Sequence, residues 1–98
     1  MRVRKADDNQ PEIVKAFRSA GCSVAHTHTI GKGFPDIAVG VSGLNILVEI
    51  KDGNKPVSAR SLTPDEKRWH DNWLGNVYVV ETPEQAVELV NRIRSAGL

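Results

Sequence analysis

Two runs of alternating character constrain this chain more than anything else in it. They are Asp36-Ile37-Ala38-Val39-Gly40-Val41 and Asn45-Ile46-Leu47-Val48-Glu49-Ile50-Lys51, with Ser42-Gly43 in the break between them. Side chains on a strand alternate between faces, so Ile37, Val39 and Val41 form one buried set and Val48 and Ile50 another. Glu49 and Lys51 then point together to the opposite face. Asp36 opens the first strand, and Ala38 and Gly40 leave its own face nearly bare. If the strands pair as a hairpin through the connection Val41 to Asn45, Asp36 can reach Glu49. Two hard carboxylate ligands and the Ile50 carbonyl suit Mg²⁺ or Mn²⁺, with waters completing the shell.

Size and charge bound the alternatives. Ninety-eight residues are enough for one core and one domain over 1–98, with no room for a second. A net charge of +1 excludes binding to a polyanion by bulk positive charge, so any such contact must be local. The lone Cys22 excludes an internal disulfide and a multi-cysteine zinc site, which points to a reducing, cytoplasmic location. No apolar run is long enough to span a bilayer, and no signal-peptide core stands at the N-terminus, so no membrane partner is expected.

Along the chain, residues 1–9 carry Arg2, Arg4 and Lys5 and are expected to form a flexible arm. Ile13, Val14, Ala16, Phe17 and Ala20 recur at helical spacing over 10–20, with Asp8 or Asn9 as cap, Pro11 in the first turn and Gly21 as the stop. A strand of mixed polarity is expected over 22–30, then the turn Gly31-Lys32-Gly33 and the two alternating strands. A loop should cover 52–61. Thr63-Pro64-Asp65-Glu66 is a capping box that starts a helix to about Trp73. Val77 to Val80 reads as a buried strand. Thr82-Pro83 starts a last helix that turns Ala86, Val87, Leu89, Val90 and Ile93 inward. The order α-β-β-β-α-β-α predicts an α/β fold with helices flanking the sheet.

Several residues have two readings. Glu12 lies at the margin of the first helix's apolar stripe, where it can lean over the sheet edge or face solvent. Glu66 is either the capping-box glutamate or a group of the site. Lys32, Lys55 and Arg60 flank the proposed site and are either nucleic-acid contacts or solvated loop charges. His26 and His28 share a strand face but lack a third ligand of suitable spacing, so partial burial or a substrate-facing rim is expected rather than a metal. Trp69 and Trp73, one helical turn apart, are expected in the core or a dimer seam. Cys22 reads as a small buried residue, and His70, one turn beyond Glu66, as a surface partner for it.

Gly33-Phe34-Pro35-Asp36, then Glu49-Ile50-Lys51, then Leu62-Thr63-Pro64-Asp65-Glu66 resemble the PD-(D/E)xK nuclease superfamily. Within it the chain is most similar to the small stand-alone VRR-NUC proteins, many phage-encoded, which are related in form to Holliday junction resolvases. The resemblance spans about Asn9 to Ile93. It implies a restriction-endonuclease-like α-β-β-β-α-β core with a further C-terminal helix, a divalent metal, and hydrolysis of phosphodiester bonds. Asp36, Glu49 and Lys51 take the superfamily's catalytic positions, Glu12 its first-helix acidic position, and Asp36, Glu49, Ile50 and Glu12 its metal positions. Glu66 departs from the pattern, since many members carry glutamine there.

Carboxylate neighbours favour a charged Lys51, so its expected role is an ammonium that positions the nucleophile or stabilises developing charge. The resemblance implies an endonuclease acting on DNA, branched or four-way junctions above all, in a bacterial or phage-infected cell and without a small-molecule cofactor. Symmetric cutting of a junction needs two sites, hence a homodimer. The rival expectations are a nuclease-fold DNA-binding module without turnover and a purely structural partner.

Overall fold

The computed structural model describes residues 7–96. Its elements are α1 (Gln10–Ser19), β1 (Ser23–His26), β2 (Ile37–Val41), β3 (Leu44–Ile50), α2 (Val57–Arg60), α3 (Pro64–Asn72), β4 (Val77–Val80) and α4 (Pro83–Ser95). The alternating runs pair antiparallel, with Ile37 opposite Val48 and Val41 opposite Leu44. Their two-residue turn has positive φ at both Ser42 (51°) and Gly43 (84°), the backbone twist that favours a tight hairpin. β1 joins β2 antiparallel and β4 joins β3 parallel, giving one mixed sheet in the order β1-β2-β3-β4.

One face of that sheet is the core. Ile37, Val39, Val41, Ile46, Val48 and Ile50 bury against Ile13, Val14 and Phe17 of α1 and Ala86, Leu89, Val90 and Ile93 of α4. Gly21 ends α1 at φ 88°, with Cys22 N–H donating to Phe17 O and Gly21 N–H to Arg18 O. Those two bonds are a Schellman stop and turn the chain directly into β1. Across the sheet, α3 approaches the opposite face through Phe34, whose ring meets Trp69 at 5.1 Å and Trp73 at 6.3 Å.

Some expectations need correction. The first strand covers only Ser23–His26, because a turn closed by Ile30 N–H on Thr27 O ends it early. The 52–61 loop contains the short helix α2. β4 is an edge strand rather than a buried one; Val80 is buried, while Val79 is 43% exposed. Val87 lies on the outer side of α4, 41% exposed. Residues 1–6 of the expected arm lie outside the described residues. Asp7 and Asp8 lead into a turn, and Asn9 is buried. Among the described residues, no helix is long and apolar enough to cross a membrane.

Candidate active site

The site stands where β2 stops short of its neighbour. The hairpin register places Asp36, one residue before β2, across from Glu49 and on the same face. With no β2 carbonyl left to receive the Ile50 N–H, the Asp36 carboxylate takes it, Oδ2 accepting at 2.7 Å. The Asp36 N–H in turn donates to Val48 O at 3.1 Å. Asp36 is thereby fixed over the end of β3. A residue's N–H and C=O leave an extended strand at the same edge, so the Ile50 carbonyl faces the side that Asp36 occupies.

Lys51 follows on the same face as Glu49. Its Nζ lies 2.6 Å from Glu66 Oε1 and 3.9 Å from Glu49 Oε2. Glu66 does two things with one oxygen. Oε1 also accepts the Thr63 N–H at 2.8 Å, while the Glu66 N–H donates to Thr63 Oγ1 at 3.2 Å, completing the capping box of α3. The sequence offered cap and site as alternatives for Glu66, and the fold combines them. The helix start that fixes Glu66 also fixes the ammonium of Lys51.

Gly33 explains how α3 comes so near. Its φ is 82°, and a Cβ there would strike the Asp65 carbonyl, with Asp65 C at 2.7 Å and Glu66 N at 3.0 Å. Only glycine allows this backbone conformation and this approach at once. The turn before Asp36 therefore docks the first turn of α3 and carries Glu66 to Lys51.

The cluster is dry. Asp36 is 1% exposed, Glu49 0%, Glu66 3% and Lys51 7%. Among the described residues, the cluster gathers the carboxylates of Asp36, Glu49 and Glu66 around the ammonium of Lys51. His70 stands one turn along α3. Burial pushes its pKa below the ordinary 6.5, although Glu66 and Asp71 pull it up, and its Nε2 has no hydrogen-bond partner among the described residues.

The donor set fits a hard divalent ion. Asp36 and Glu49 would supply carboxylate oxygens, and the Ile50 carbonyl faces the same side. No group of three His, Cys, Asp or Glu side chains gathers to hold a metal among the described residues. Glu12 in particular is exposed on α1 and joins no such group with Asp36 and Glu49. Helical geometry is the reason, because α1 turns Ile13, Val14 and Phe17 inward and carries Glu12 off that stripe.

The residue that does reach the site from the start of α1 is Asn9, a possible cap by its position in the sequence. Its side chain caps nothing; Nδ2 donates to Lys51 O at 3.0 Å and to Glu81 O at 3.1 Å. It ties the ends of β3 and β4 to the start of α1. A contact across 42 residues leaves no local signal in the sequence.

The basic flank divides. Lys32 and Lys55 are exposed. Arg60 is committed elsewhere, donating to Lys55 O at 2.7 Å and lying 3.3 Å from Glu81 Oε2, so its charge is largely answered within the chain. Trp69 and Trp73 stack at 4.6 Å, with Trp73 42% exposed. Cys22 is buried in the core; burial pushes its thiol pKa above the usual 9.0, partly offset by Arg94.

The mixed sheet with helices on both faces is an α/β fold consistent with a restriction-endonuclease-like core. A solved structure described as a VRR_NUC domain is similar to it at a TM-score of 0.62 and 27% identity, covering 84% of this chain and 89% of that one. The chain has the VRR-NUC fold, and the likeness supports a nuclease-type function. No family model matches the sequence, and no curated protein matches it.

Proposed function

We propose that this chain is a Mg²⁺- or Mn²⁺-dependent endonuclease of the PD-(D/E)xK type. It hydrolyses phosphodiester bonds in DNA, branched or four-way junctions above all, and works as a homodimer. The observation that carries this reading is the buried convergence of Asp36, Glu49 and Lys51 at the sheet's end, beneath Glu66. Asp36, Glu49 and the Ile50 carbonyl would hold the metal, which when bound polarises a phosphate oxygen and lowers the pKa of its water.

The chain's own groups supply the rest. Asp36, pinned by the Ile50 amide, keeps its carboxylate aligned without reorganisation. Lys51, held at 2.6 Å by Glu66, keeps its ammonium beside Glu49, where charge develops as the phosphate is attacked. Glu66 is a positioning residue for Lys51. Exposed Lys32 and Lys55 provide local attraction that the near-neutral net charge does not supply. Trp73 and Val87 are exposed apolar side chains on or just beyond the last two helices, where a dimer seam is expected.

The test is incubation with linear, flapped and four-way DNA in Mg²⁺, Mn²⁺ or EDTA, beside Glu49→Gln and Lys51→Met. Cutting that needs the metal and disappears in both folded variants supports the proposal. Cutting that survives EDTA refutes the metal dependence, and binding without cutting supports the non-catalytic module. Light scattering of the purified chain tests the dimer.

A further inference from the structure

A second charged feature lies on the opposite side of the sheet's edge from the carboxylates. α1 and the edge strand β1 enclose a groove of roughly 690 Å³, lined by Gln10, Val14, Lys15, Arg18, His26 and His28 among others. Lys15 and Arg18 are exposed along one wall, and no carboxylate lines the groove among the described residues. Gln10 is buried, its Nε2 lies 3.2 Å from His26 Nδ1 and 3.4 Å from His28 Nδ1, and its Oε1 has no hydrogen-bond partner among the described residues.

The Gln10 amide lies between the two rings and holds both in place against the end of α1. The groove therefore sets two basic side chains, Lys15 and Arg18, beside two imidazoles over an apolar floor that includes Val14. Two cations with no carboxylate among the described lining residues complement an anion. The groove is built on the same sheet as the site, on its other face. His26 pairs with Ile37, Thr27 N–H donates to Asp36 O at 2.8 Å, and Gln10 follows Asn9, which holds Lys51 O.

We propose that this α1–β1 groove binds the phosphate backbone of the nucleic acid, guiding one strand over the rim at Thr27 toward Asp36 and Glu49. The inference rests on the nuclease reading and adds a contact surface to it. Lys15 and Arg18 hold phosphates, and His26 and His28, held in place by Gln10, line the strand's path between them.

The test is fluorescence anisotropy of a labelled single strand and of a flapped duplex in Ca²⁺, across about 50–200 mM salt, with wild type, Lys15→Gln/Arg18→Gln and His26→Ala/His28→Ala. Thermal melts confirm that each variant folds. Losing two phosphate contacts should lower the slope of log K against log[salt] by about 1.4 on the single strand and about 1.8 on the duplex. The histidine pair should weaken binding with a smaller change in slope. An unchanged slope and affinity in Lys15→Gln/Arg18→Gln overturns the groove, and so does a wild type that does not bind. Cutting in Mn²⁺ is scored in parallel. Cutting with a groove-independent slope leaves the nuclease reading standing and removes only this inference. A groove-dependent slope without cutting supports the groove and removes the enzyme.

Discussion

Replacing Gly33 with alanine should damage this protein more than replacing Gly31 or Gly43, although all three have nearly the same backbone conformation. Their φ values are 82°, 81° and 84°. In each, an alanine pays the left-handed backbone strain, about 1–2 kcal/mol. At Gly31 and Gly43 a new Cβ meets nothing within 4 Å, so that strain is the whole cost. At Gly33 it meets backbone, Asp65 C at 2.7 Å and Glu66 N at 3.0 Å, and backbone cannot rotate away. Overpacking of this kind adds about 1–3 kcal/mol. Urea unfolding should therefore rank Gly33→Ala below both controls by about 1–3 kcal/mol, or very roughly 5–20 °C in melting temperature for a domain of this size. Nuclease activity should fall further than stability does, because the shift that relieves the clash moves Glu66 off Lys51. Equal losses in all three variants would refute the claim that Gly33 docks α3.

Three further outcomes are expected. Glu66→Gln keeps a capping oxygen but removes the charge facing Lys51, leaving Glu49 at 3.9 Å as its ion-pair partner; unfolding should show a loss of about 1.5–3 kcal/mol, with cutting reduced at wild-type DNA affinity. Mg²⁺ or Ca²⁺ at about a hundred times its dissociation constant should stabilise the fold by about 2.7 kcal/mol, an effect that scanning calorimetry should find absent in Glu49→Gln; equal shifts in both would place the ion elsewhere. His70 has its pKa lowered by burial, so the unfolded chain takes its proton first as pH falls. Its contribution is full above pH 6.5 and declines as pH drops toward its folded value, so denaturation curves of His70→Leu should lack that part of the acid slope.

Much of the site could be read from local order because its parts are local. Alternation alone put Glu49 and Lys51 on one face and Val48 and Ile50 on the other, and a two-residue turn then left Asp36 across from Glu49. The capping box of Thr63 and Glu66 was equally legible, since it spans one helical turn. Neither pattern revealed that the capping oxygen also binds Lys51, 15 residues away. Glu12 and Arg60 show the converse. Each stands at a suggestive position in the sequence, but one faces solvent and the other is bound by Glu81.

The sequence by itself determined the strand pair, the limits of α1 and α3, the start of α4 and the residue types capable of holding a divalent ion, because these follow from periodicities of two and 3.6 residues and from turn chemistry. Tertiary structure decided that the acidic and basic groups are buried rather than solvated, that Asn9 rather than Glu12 joins α1 to the site, and that Gly33 brings α3 close. Burial and long-range hydrogen bonds depend on which surfaces meet, and that is settled by packing across the whole chain rather than by any segment of it.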